Sequence, residues 1–125
     1  MDKELHIVDA VDIKSDGRTI GFIRVLVSDK NDSSNKVIHR GIKEAIKHLI
    51  DEGFDVIRRI DDYKDDNPGM HVITENMASP TNERSRVSIQ SGTMEKFPNF
   101  ERIHDALIRH MIIKGFKMRP NERIL

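Results

Sequence analysis

Residues 37–60, VIHRGIKEAIKHLIDEGFDVIRRI, combine an amphipathic helix, a glycine stop and the start of a strand. The apolar residues recur at steps of three and four, which places them on one face of an α-helix. They are Ile38, Ile42, Ala45, Ile46, Leu49 and Ile50. Gly53 suits the left-handed residue of a Schellman cap, and the apolar Phe54 follows it as that motif favours. From Phe54 onward the pattern alternates, which predicts a β-strand.

The composition is that of one globular domain, spanning residues 1–125, with 37% hydrophobic and 34% charged residues. The chain has no cysteine, which excludes disulfides, cysteine-bound zinc and thiol nucleophiles. This composition fits a reducing compartment, so we expect a cytoplasmic location. The apolar runs are far shorter than the ~20 residues that span a bilayer, and the first residues lack a signal-peptide pattern. We therefore expect no membrane association.

The remaining strands and the second helix can be placed from alternation and turn signals. Residues 5–13 and 19–27 predict a hairpin, because an Asp-Gly step lies between them. The second of these strands is apolar on both faces except for Arg24. Further strands are predicted at 54–60, 71–77 and 84–91, and a second helix runs from Pro98 to Gly115.

The order ββαβββα predicts an α+β fold, a two-layer sandwich with a mainly antiparallel sheet of about five strands and two helices on one face. Two details stay open: a short strand after Phe116, and a right-handed crossover between parallel neighbours over residues 19–60. Residues 47–56 and 109–118 align without gaps, and both end in Gly-Phe followed by a strand. This alignment indicates either a duplicated ββα unit or one capping solution used twice.

The sequence contains none of the common catalytic or phosphate-binding motifs. GxxxxGK[ST], GxGxxG and GxSxG are absent, so we expect no P-loop, no dinucleotide site, no serine-hydrolase elbow and no catalytic residue. The acidic segment 61–67 offers oxygen ligands but lacks the order of an EF-hand loop. His48, Asp51 and Glu52 could face one side of the first helix, but helical histidine pairs of the HxxxH kind are missing, and His71 and Glu75 lie too far apart along a strand to share one ion. We expect no metal and no cofactor.

His48 and His110 occupy equivalent places in the two aligned stretches. Two histidines in one cleft would form a titrating pair. The simpler interpretation of His110, which lies on the apolar stripe of its helix, is a histidine at the edge of the core that bonds to a backbone carbonyl.

The C-terminal third of the chain supplies the candidate binding residues. From residue 84 to 125 there are nine basic and four acidic residues, although the whole chain has net charge zero. A sheet face that carries Arg, Ser and Gln can hold an anion through charge-assisted and neutral hydrogen bonds. The predicted ligand-binding residues are Arg84, Arg86, Ser88, Gln90, Lys117, Arg119 and Arg123. The alternative is a solvated face that protects the sheet from aggregation.

The second helix carries more apolar surface than one buried face requires. We therefore predict a homo-oligomer that forms through this helix. The predicted contact residues are Ile103, Leu107, Ile108, Met111 and Ile112. A C-terminal tail folded over the helix would bury the same residues.

Three functional hypotheses follow from these features. The first is a non-catalytic binding or regulatory module, of the inhibitor, immunity or ligand-sequestering kind, that recognises a protein partner or a compact anionic ligand through its arginines. The second is a nucleic-acid-binding domain, which the zero net charge and the few aromatic residues disfavour. The third is a small hydrolase with a His/Asp site in an oligomer cleft.

Overall fold

A computed structural model describes residues 5–58, 70–94 and 98–119. It is an α+β two-layer sandwich, as predicted, with both helices on one face of the sheet. In chain order the elements are β1 (His6–Ser15), β2 (Arg18–Val27), α1 (Asn35–Asp51), β3 (Asp55–Arg58), β4 (His71–Ala78), β5 (Arg86–Thr93), α2 (Pro98–Ile113) and β6 (Lys117–Met118). The acidic segment 61–67 lies outside the described residues.

The sheet has six strands in the order β3-β1-β2-β5-β4-β6. This is one strand more than predicted, because the short segment after Phe116 pairs with the end of β4. Every pair of neighbouring strands is antiparallel. β2 and β3 run in the same direction, but β1 lies between them, so the crossover does not join parallel neighbours.

The strand order repeats one ββαβ arrangement in the two halves of the chain. β1 lies between β2 and β3 in the first half, just as β4 lies between β5 and β6 in the second. Both helices also end in the same Schellman cap. The Phe54 and Phe116 amides each donate to a helix carbonyl at 3.0 Å, after Gly53 and Gly115 at φ +95° and +100°.

The hydrophobic core lies between the helices and one face of the sheet. Alternate residues of β1, β2 and β5, among them Ile13, Val25 and Ile89, meet the apolar stripes of both helices. Gly41 permits the close approach of the two helices, because a Cβ atom there would lie 2.7 Å from Leu107 Cδ1. Within the described ranges, neither helix is long and apolar enough to cross a membrane.

The predicted oligomer contact on α2 needs correction. Ile103, Leu107 and Met111 are at most 5% exposed and belong to the core of the single chain. Ile108 also packs partly against that core. Only Ile112, which is 45% exposed, offers substantial apolar surface among the five. The stripe that we expected to contact a second subunit is largely the stripe that contacts the sheet.

Candidate ligand-binding face

The face of the sheet opposite the helices, here called the open face, carries most of the predicted binding residues. Paired residues of neighbouring strands share a face, so the register assigns the side chains. Lys117, Ala78 and Arg86 form one row across β6, β4 and β5. The adjacent rows are Asn76–Ser88–Leu26 and Thr74–Gln90–Arg24–Ala10. Arg86, Ser88, Gln90 and Lys117 therefore share this face.

Arg24, which was not among the predicted site residues, lies near the centre of the open face. Its Nε atom donates a hydrogen bond to Gln90 Oε1. Its guanidinium carbon lies 5.3 Å from the ring centroid of Phe22, within the range of a cation–π contact. The Phe22 ring is buried against Gly92. The signal in the sequence was the single charge in an otherwise apolar strand.

Arg86 begins β5 and is exposed. Its Nη2 atom donates to Asn76 Oδ1 at 3.4 Å, and its backbone amide donates to Ser28 Oγ at 2.8 Å. Ser88 is only 2% exposed, and its hydroxyl accepts a 3.5 Å hydrogen bond from Gln90 Nε2. Ser88 thus orients Gln90 and presents little surface of its own.

The other three predicted binding residues are not in the three rows of paired residues on the open face. Arg84 lies in the loop before β5 and not in the strand, because the ladder with β4 begins at Arg86. The Arg119 guanidinium donates to the Glu83 carbonyl at 2.9 Å, so this side chain holds the same loop. Arg123 lies outside the described residues.

Asp9 forms a buried charged cluster on the helix side of the sheet. A register shift between Ile7 and Asp9 precedes it in β1. Its carboxylate accepts two hydrogen bonds from Arg58, at 3.2 and 2.6 Å, and lies 3.0 Å from His39 Nδ1. The Ala10 amide donates to the same carboxylate at 3.1 Å. In the sequence, Asp9 is the one polar residue at the alternate positions of the predicted strand 5–13, which are otherwise Leu5, Ile7, Val11 and Ile13.

A second cluster joins the loop before α1 to the loop after β4. Asp32 Oδ1 accepts hydrogen bonds from the Ser34 amide at 2.9 Å, the Ser34 hydroxyl at 2.8 Å and the Thr81 hydroxyl. Ser79 lies 3.0 Å from the Ser34 hydroxyl. Burial acts to raise the pKa of Asp32, but hydrogen bonds from Ser79, Thr81 and Ser34 outweigh it and hold that pKa below its usual value. Ser34 is the N-cap residue of α1, yet its side chain bonds Asp32 and not the helix.

A third cluster pairs His104 of α2 with Ser91 of β5. Ser91 Oγ lies 2.7 Å from His104 Nδ1, and both side chains are buried. Burial lowers the pKa of His104, although Glu75, Asp105 and Glu101 act in the opposite direction. A serine–histidine contact is typical of hydrolases, but here no substrate could reach either atom.

A groove of about 180 Å³ runs between the two helices. Each lining residue of α2 follows one of α1 by 62 positions, which is also the offset between the two aligned stretches. The lining residues are Gly41, Glu44, Ala45 and His48 of α1 and Ile103, Ala106, Leu107 and His110 of α2. His110 Nε2 lies 3.3 Å from the Val37 carbonyl, which confirms the prediction of a histidine at the edge of the core that bonds to a backbone carbonyl. In the described part of the chain, no three His, Asp or Glu side chains are arranged to hold a metal ion.

The described sites thus divide into the open face with Arg24, Arg86 and Lys117, three polar clusters, and a groove between the helices. In the comparisons with known proteins, no family model matches the chain, and neither the curated proteins nor the solved structures contain a significant match.

Proposed function

We propose that this chain is a small non-catalytic binding module that recognises an anionic partner, either a compact ligand or the acidic surface of a protein, through the open face. The observation that carries the proposal is the fixed position of Arg24, which Gln90 and the ring of Phe22 hold on the same face as Arg86 and Lys117, two rows of paired residues away. A cytoplasmic location belongs to the same proposal and rests on the lack of cysteine.

Two of the basic side chains on this face, Arg24 and Arg86, are already held in place in the absence of a partner. Gln90 and Phe22 hold Arg24, and Asn76 contacts Arg86. Ordering a long side chain on binding costs about 0.5–1.5 kcal/mol, and a preorganised arginine avoids part of that cost. Charge-assisted hydrogen bonds to an anion are also stronger than neutral ones.

The positive charges of the open face favour a negatively charged partner. On β2, β5, β4 and β6, the charged side chains that the register places on the open face are Arg24, Arg86 and Lys117, all basic, whereas on β1 and β3 the same face carries the buried Asp12 and the exposed Asp55. Two copies of the chain joined through this face would oppose like charges, which is unfavourable. A negatively charged partner meets no such penalty.

The two alternative functions have less support. Recognition of single-stranded nucleic acid depends on exposed rings that stack on bases, whereas Phe22 is 2% exposed beneath Arg24. A hydrolase needs a histidine that is hydrogen-bonded to a carboxylate in a cleft. The helical groove contains Glu44, but His110 of that groove contacts the Val37 carbonyl, and the His39–Asp9 contact lies outside the groove.

The experiment is an NMR titration of the ¹⁵N-labelled protein with tripolyphosphate as a compact anion. We expect chemical-shift changes on β5, β4 and β6 and affinity at least about tenfold lower in R86Q/K117Q, because two charge-assisted contacts are lost. The matched control is R102Q/R109Q, which removes the same charge from exposed positions of α2. Equal affinity in the two double variants would refute the proposal.

The salt dependence of binding to heparin distinguishes a nucleic-acid-binding domain from a module that binds a compact anion. A polyanion that is bound through many phosphate-like contacts loses affinity steeply as salt rises, because each contact releases counterions. We expect a shallow slope for a face with three basic heads. A steep slope that R86Q/K117Q abolishes would favour nucleic acid.

A further inference from the structure

His39 and Arg58 are held side by side by one buried carboxylate, on the opposite side of the sheet from the open face. Asp9 is completely buried, and its Oδ2 atom lies 3.0 Å from His39 Nδ1 and 2.6 Å from Arg58 Nη2. The two nitrogen atoms are therefore at most 5.6 Å apart, the sum of these two distances. The buried carboxylate positions the two basic groups, and the guanidinium of Arg58 offsets its negative charge.

The two basic side chains remain accessible. The His39 side chain is 45% exposed and that of Arg58 is 40% exposed. Contact with Asp9 through Nδ1 leaves His39 Nε2 as the ring nitrogen available to a ligand. Arg58 donates to Asp9 through Nε and Nη2. The guanidinium group has five N–H donors, so others remain to bind a ligand.

We propose that His39 and Arg58 form a binding site for a small tetrahedral dianion of the phosphate class. Imidazolium and guanidinium groups donate to such an oxyanion through charge-assisted hydrogen bonds. When His39 is protonated, two positive charges face one negative charge, so the cluster carries one net positive charge. When His39 is neutral and Nδ1 donates to Asp9, Nε2 presents a lone pair and repels the anion.

The charges around His39 support the same ligand. Asp9 of β1 and Arg58 of β3 face its ring, and the neighbours one turn away on α1 are Lys36 and Lys43, both exposed. Arg40 is the next residue along the helix. Of these five groups only Asp9 is acidic, and it is already neutralised by Arg58.

Sulfate is the probe that tests this site, because it stays dianionic over the pH range in which histidine side chains change charge. We expect a saturable NMR shift of the Arg58 side-chain Nε–H and the His39 ring, with affinity at least about tenfold higher at about pH 5.5 than at about pH 8. Methyl phosphate is then compared with inorganic phosphate at the same pH: much weaker binding of the ester assigns a free anion, and binding at least as tight shows that the site accepts a phosphate ester.

Four variants make the test specific. H39Q should bind sulfate weakly, with no dependence on pH. R58Q should lose saturable binding, whereas R58K should retain part of that binding, because lysine supplies a point charge in place of the guanidinium group. H48Q, at an exposed histidine of the same helix, should behave like the unchanged protein. The α1 amide shifts report whether each variant is folded, and R86Q/K117Q should leave this site intact whether or not the open face binds anions. The proposal is overturned if H39Q keeps the pH dependence, or if the sulfate shifts rise without saturation at all exposed lysines and arginines.

Discussion

Ser91 Oγ lies 2.7 Å from His104 Nδ1 inside the protein, while the second ring nitrogen of His104 is buried without a hydrogen-bond partner. Burial therefore lowers the pKa of His104 from the value of 6.5 for a free histidine. Above that pH the histidine is neutral in both the folded and the unfolded chain. Below it the unfolded chain gains a proton first, so stability falls as the pH decreases toward the lowered pKa.

This relationship predicts a pH-dependent loss of stability that urea unfolding can measure. The free energy of unfolding of the unchanged protein should decrease from about pH 7 to about pH 5, and H104Q should show a shallower decrease. H48Q removes an exposed histidine and should keep the original slope. If H104Q had the same slope as the unchanged protein, His104 would not be the group that titrates.

The two Schellman caps provide a matched pair of backbone tests. Gly53 and Gly115 both have positive φ, so alanine at either position should cost about 1–2 kcal/mol. A Cβ atom at Gly53 would meet nothing within 4 Å, whereas one at Gly115 would lie 3.1 Å from Pro80 Cβ. We expect G115A to lower the urea midpoint more than G53A, and asparagine to be tolerated better than alanine at Gly53. Equal tolerance of alanine and asparagine at Gly53 would argue against the left-handed cap.

The support beneath Arg24 depends on Gly92. A Cβ atom at this position would lie 2.3 Å from Cε1 of the Phe22 ring, a distance that requires the ring to move. We expect G92A to cost about 1–3 kcal/mol, as overpacking does, and to shift the Arg24 side-chain resonance. G92A/F22A should cost less than the sum of the single variants, because the second change removes the clash. Additive losses would show that the two residues do not interact.

The outer and inner sides of α2 should respond differently to substitution. L107A should lose about 2–5 kcal/mol of the free energy of unfolding, since Leu107 lies in the core, and I112S should stay within about 0.5 kcal/mol.

The homo-oligomer through α2 remains a prediction, which now depends on the exposed Ile112 and Ile113. Sedimentation should show an oligomer that I112S/I113S converts to a monomer; a monomeric unchanged protein would contradict it.

The local elements could be predicted because their signals are local. Helical periodicity, the glycine stops and strand alternation depend on neighbours a few residues away, and both helices and five strands follow from them. The sixth strand has only two residues, Lys117 and Met118, too few for alternation to indicate it firmly. The internal likeness of the two helix ends was also visible, and the structure shows that it corresponds to the same cap in each half.

The candidate site was only partly predictable because it depends on how distant strands pair. Arg24 and Gln90 are far apart in the chain and meet only because β2 and β5 are neighbours in the sheet. Asp9 looked like a flaw in an apolar alternation, since nothing near it in sequence indicated Arg58 or His39. A buried charge is stable only with such partners, and they come from two other elements.

The sequence by itself determined the helices, their caps, the hairpin and the two-layer class, because these follow from short-range periodicity and backbone preference. The tertiary structure alone decided which face of α2 is buried, which basic residues share the open face, and which charges surround Asp9. Those properties arise from strand register and helix packing, where a shift of one residue moves a side chain to the other face of the sheet.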